Sequence, residues 1–139
     1  MRRSFGSALL VVLVAAFAAA GCDDDTPPRT LPPDPELVTE TFSGSINQKG
    51  AVTHPFLATQ AGAVRATLTS VEPDATIAVG LTLGTWNGAV CQAVLSNDNA
   101  FQGAVINGTA SVTSQLCVRI QDVGKLVGTL NYTITVLHP

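Results

Sequence analysis

Charge is scarce in this chain: Asp, Glu, Lys and Arg together make up 12% of its 139 residues, and aromatic residues 5%. Setting aside Arg2 and Arg3 at the start leaves five basic residues, Arg29, Lys49, Arg65, Arg119 and Lys125, against ten acidic ones, a net charge of −5. No basic stripe exists, so the counterion release that drives phosphate binding is missing. Nucleic acid is excluded as a partner. Histidine is almost as rare, with only His54 and His138. A hydrolytic site needs a nucleophile, a histidine and an orienting acid within hydrogen-bond reach. No Gly-x-Ser-x-Gly elbow and no zinc-ligand spacing occur. The chain therefore reads as no enzyme, with no metal centre and no cofactor, and His54 as a strand residue filling a half-buried position.

What the chain does carry begins at its first residues. Arg2 and Arg3 precede an unbroken apolar run from Ala8 to Ala20. Thirteen residues at about 1.5 Å each fall well short of a ~30 Å hydrocarbon core, the mark of a signal peptide and not of a stable transmembrane helix. Ala19-Ala20-Gly21-Cys22 follows. It resembles the lipobox of bacterial lipoproteins, with Ala19 where the pattern usually has Leu. The resemblance implies cleavage between Gly21 and Cys22, and acylation of the Cys22 thiol. Acyl chains contribute roughly 0.8 kcal/mol per buried methylene, enough in pairs for lasting attachment. Arg2-Arg3-Ser4-Phe5 is similar to part of a twin-arginine export signal, and Asp23 to an inner-membrane retention signal of enteric bacteria. A lipid-anchored protein of the bacterial cell envelope, facing periplasm or exterior, is the expected location.

With Cys22 assigned to lipid, Cys91 and Cys117 remain. Outside the cytoplasm a disulfide is their default state. Closing a loop of roughly 25 residues would contribute about 3.5 kcal/mol. A pair of free or metal-binding thiols is the alternative.

Residues 23–35 hold five prolines and little to bury. They should form an extended, solvated spacer. Downstream the apolar period is two. Phe42, Gly44 and Ile46 form one stripe, Val64, Ala66 and Leu68 another, and Ile77, Val79, Leu81 and Leu83 the longest. Leu116, Val118 and Ile120, then Leu130, Tyr132, Ile134 and Val136, complete the set. Each stripe predicts one buried and one polar face, as in antiparallel sheets. Asn87-Gly88 and Asn107-Gly108 predict hairpin turns. Gln48-Lys49-Gly50, Pro73-Asp74, Asn97-Asp98-Asn99 and Val123-Gly124-Lys125 predict further turns. Pro55, which cannot donate to a ladder, marks an edge strand or bulge. The predicted fold is all-β: a two-layer antiparallel sandwich, jelly-roll-like, of seven to eight strands. Its organisation is a leader over 1–21, an acylated cysteine and Pro-rich linker over 22–36, and the sandwich over 37–139.

Phe42-Ser43-Gly44, Phe56-Leu57-Ala58 with Ala61-Gly62, Cys117-Val118-Arg119-Ile120 and Tyr132-Thr133-Ile134-Thr135-Val136 resemble, in order, the bacterial pre-peptidase C-terminal domain over residues 38–137. That resemblance implies a jelly-roll sandwich with a theme of extracellular adhesion or substrate binding, and no catalytic residue. Cys91 and Cys117 are not a general feature of that family. For a ligand, the candidates are Trp86, whose ring could stack on a sugar or anchor a peptide, and Asn97, Asp98 and Asn99, the densest oxygen cluster and the one place where calcium could bind. The expected function is a binding or adhesive module for extracellular glycan or protein. The rival is a structural or assembly subunit of an envelope complex.

Overall fold

The structure, a computed structural model, describes residues 29–139. The leader, the Gly21–Cys22 junction and the first part of the spacer lie outside the described residues. The chain divides after Pro32. Arg29–Pro32 is exposed and has no regular structure, as expected of a spacer.

From Pro33 onward the chain builds eight strands: β1 Val38–Ile46, β2 Ala51–Ala58, β3 Gly62–Glu72, β4 Val79–Trp86, β5 Cys91–Ala100, β6 Val105–Ala110, β7 Ser114–Gln121 and β8 Leu130–His138. They form two four-stranded sheets of order β1-β8-β3-β6 and β2-β7-β4-β5. Every pairing is antiparallel, and first pairs with eighth, second with seventh, third with sixth, fourth with fifth. That nesting is one long hairpin wrapped into two layers, the jelly roll.

The apolar stripes account for the core. Val64, Ala66 and Leu68 of β3, Val118 and Ile120 of β7, and Leu130, Ile134 and Val136 of β8 are all at most 1% exposed. The whole core cluster comes from Ile46–Val136. The unit 33–139 thus carries its own core and can fold alone. Gly44 makes room for Tyr132, whose hydroxyl would lie 2.7 Å from a Cβ at that position. Pro55 sits in β2, an edge strand, as expected.

Three local expectations are corrected. Asn107-Gly108 is no turn but the middle of β6, paired with Arg65 and Val64. Asn97-Asp98-Asn99 lies within β5, not in a loop. β4 does not expose a polar face: Val79–Gly84 is buried on both sides. Gly80 is covered by Gln121 and Val123, and Gly84 by the backbone of Gln92 and Ala93. Sequence period alone misses this, because the residues that fill β4's outer face are small enough to be overlaid by neighbours. The other turns stand where expected. Gly88 and Gly124 take positive φ, as does Lys49 at 58°, and Asn87 Oδ1 accepts from the amides of Ala89 and Val90.

Candidate functional site

The two sides of the sandwich differ in what fills them. On the β1–β2 side the rings of Phe42, His54, Phe56, Tyr132 and His138 stack between the sheets. Phe42 and His54 lie 4.9 Å apart and parallel, and Phe56 and His138 are 5.0 Å apart. His54 Nε2 and the Tyr132 hydroxyl share a 2.8 Å hydrogen bond that ties one sheet to the other. His138, 2% exposed, places Nε2 3.0 Å from Glu40 Oε1. The partners of the two histidines are thus Tyr132, Glu40 and the Pro139 carbonyl oxygen.

Burial holds the His54 pKa below its ordinary value and raises that of Tyr132. Tyr132 therefore keeps its proton and can donate to neutral His54. The unfolded chain protonates His54 first, so the associated stability is full above about pH 6.5 and declines as pH falls through the lower folded value. His54 is only half-buried, so solvent screening keeps the effect small. Thermal melts from pH 7.5 to pH 5 should show this shallow loss in the native protein and a flatter profile in His54→Gln. Equal slopes would remove His54 as its source.

Between β5 and β6 no ring fills the space between the sheets. The inward positions of β6 are Ile106, Gly108 and Ala110, and Gly108 in the middle is too small to close the gap. A groove of about 560 Å³ opens between β6 and the β4–β5 pair, lined by Leu83, Leu95, Val64, Leu116, Thr85 and Thr109 among others. Gly108 forms its floor: a Cβ there would come within 2.9 Å of Leu83 and 3.3 Å of Leu95. Val94, 67% exposed, stands at the rim. No charged side chain lines it. Between Asp74 and Arg119 the sequence holds a single charge, Asp98, and that stretch supplies β4, β5, β6 and most of β7. Arg65, one strand behind β6, donates from Nε to Asn107 Oδ1 at 3.1 Å.

The residues singled out from sequence are not brought into one site. Trp86 pairs with Cys91 and Asn97 with Leu81, at the two ends of the β4–β5 hairpin, about 17 Å apart along the strand. Asn97 Oδ1 accepts from the Asn99 amide, which occupies one of the oxygens a cation would need. Among the described residues no three His, Cys, Asp or Glu side chains gather as a metal site. Cys91 and Cys117 do meet, as a disulfide. Among the described residues Asp122 is the most used carboxylate. It accepts from the amides of Lys49, Gly124, Lys125 and Leu126 and so binds the β1–β2 turn to the β7–β8 loop. Those bonds hold its pKa below the ordinary carboxylate value. The groove itself was missed in the strand pattern, although the charge-free run that surrounds it is visible in the sequence.

No family model matches the chain, and no curated protein matches it in sequence. Among solved structures it is similar to PliG of Aeromonas hydrophila, a periplasmic inhibitor of g-type lysozyme, with TM-score 0.52 and 10% identity, over 70% of this chain and 83% of that one. It is also similar, with TM-score 0.36 and 11% identity over 73% of this chain and 87% of the other, to a chain of the Bacillus endospore appendages, a family of disulfide-linked pili. At such identities the first likeness shows a shared β-sandwich fold and no more.

Proposed function

We propose that this chain is a non-catalytic lipoprotein of the bacterial cell envelope, anchored through Cys22, whose sandwich binds a protein partner along the β5–β6 groove. The observation that carries this reading is the groove itself: apolar, uncharged and open between the edges of two sheets. Its few polar groups, Thr85, Thr109 and Asn107, are too sparse to read the many hydroxyls of a glycan, whereas a protein segment offers the apolar side chains that the groove would desolvate. The leader, the lipobox-like Ala19–Cys22 and the Cys91–Cys117 bond support an exported setting. The similarity in fold to a periplasmic inhibitor, a protein that acts on another protein, agrees with a protein ligand over a sugar. The pre-peptidase-like residues belong to the same reading, as core and turn positions of an extracellular binding sandwich.

A photo-cross-linking amino acid at Val94, in cells, tests it. A discrete protein adduct should form there and not from the same group at Thr39 on β1, and Thr85→Lys, which puts a charge in the groove, should abolish it. Equal labelling from both positions, or none from Val94, would sink the reading. Cys22→Ser should separately block palmitate incorporation and release the protein from the membrane fraction.

A further inference from the structure

A jelly roll of two four-stranded sheets has four edge strands, here β1, β6, β2 and β5. Exposed edges offer unpaired backbone donors and acceptors to any passing strand, and proteins blunt them with proline, charge or bulges. Three of the four are blunted. β2 carries Pro55 at its centre. β5 is bulged twice: its register passes from Leu83↔Leu95 to Gly84↔Ala93, leaving Val94 unpaired, and again between Asn97 and Ala100. β1 bears Glu40 and follows Pro32, Pro33, Pro35 and Glu36. β6 has no such device. Val105–Ala110 pairs residue for residue with β3 and contains neither charge nor proline.

We infer that β6 is the seat of a second copy of this chain, the two β6 strands pairing antiparallel about a two-fold axis into one eight-stranded sheet. The inference rests on the proposed groove reading and names its partner. Symmetry selects the occupant: an uncharged, unbulged edge strand meets an identical one as its own complement about a two-fold axis. The chain is acidic overall, so two copies repel except across a neutral face, and the charge-free run from Ala75 to Asn97 and from Asn99 to Val118 supplies that face. Side-chain alternation restricts the register. Ile106, Gly108 and Ala110 face inward while Val105, Asn107 and Thr109 are exposed, so even-numbered residues must oppose even-numbered ones. With Gly108 opposite its symmetry mate, Asn107 meets the partner's Thr109. Each groove, open at its β6 edge in one copy, is then walled by the other. The blunted β1 edge keeps the assembly closed at two copies instead of extending as a filament.

Sedimentation velocity of residues 23–139 should show a monomer–dimer equilibrium between about 1 µM and about 1 mM. Thr109→Lys places like charges at the pairing edge and should weaken the dimer about tenfold or more, with unchanged far-UV circular dichroism. Thr39→Lys on β1 should leave the dimer intact. Asn107→Cys/Thr109→Cys should cross-link between copies in each of the three registers that set Asn107, Gly108 or Thr109 opposite its own symmetry mate. A protein that is monomeric throughout, or a dimer indifferent to Thr109→Lys, overturns self-pairing. The Val94 adduct then separates the two readings: an adduct with a different protein on a monomeric chain leaves the groove as a binding site for that protein, whereas no adduct removes both.

Discussion

Replacing Cys91 and Cys117 together by Ala should lower stability by about 3.5 kcal/mol, the chain-entropy value for a bond of sequence separation 26. For a domain of this size that is a fall in melting temperature of roughly 15–25 °C. The loss should also be uneven. β5 buries little: of its ten residues only Cys91 and Ala100, at its two ends, are buried. β4 lies between β5 and β7 in the sheet, and Cys117 of β7 stands opposite Gly84 of β4. The bond therefore reaches across β4 where that strand has no side chain, and fastens one end of an otherwise weakly held edge strand to the sheet centre. Hydrogen exchange should show β5 amides losing protection first, while β3 and β8, which carry the most buried stripes, keep theirs. Uniform loss, or a variant as stable as the native protein, would mean that the disulfide does not hold this edge. Because β5 is one wall of the groove, the same variant should lose the Val94 adduct before it loses its fold.

Two-residue periodicity made most of this fold legible. The stripes on β3, β7 and β8 are core because their strands occupy sheet interiors, where alternation and burial coincide. Asn87-Gly88 and the turn at Lys49 were readable because their conformations are set locally. Asn107-Gly108 has the same local preference, yet it forms a strand: β3 offers it a full ladder, and Gly108 is needed to let Leu83 and Leu95 close beneath it. Tertiary pairing overrides turn propensity there. β5 left no stripe to find, since its bulge at Val94 breaks the alternation and sets two apolar residues side by side. The His54–Tyr132 bond joins residues 78 apart in sequence, and the groove depends on which strands end up at the edges. Both follow from topology, which periodicity does not encode. The missing charge between Asp74 and Arg119 was the one trace of the groove in the sequence, and it gains meaning only when those residues prove to share one side of the sandwich.

Gly84→Ala should be the most damaging single methyl addition in the domain. Glycine inside a strand ordinarily costs about 0.5–1 kcal/mol relative to alanine, so the default expectation is stabilisation. Here the sign reverses. A Cβ at Gly84 would collide with the Gln92 carbonyl oxygen and lie 2.8 Å from its carbon, both backbone atoms of the paired strand. A flexible side-chain end could swing away, but backbone cannot, and β5 is tethered at Cys91 just beyond. The strand must be driven off β4, and overpacking of this kind costs about 3 kcal/mol or more once backbone shifts are included. Gly128→Ala provides the comparison, because nothing lies within 4 Å of a Cβ there and its φ is not in the left-handed region. That substitution should be neutral or stabilise by a few tenths of a kcal/mol through the unfolded chain. Urea denaturation of the two variants beside the native protein decides the matter. If Gly84→Ala melts with Gly128→Ala, the close approach of β5 to β4 is wrong, and with it the geometry of the groove wall.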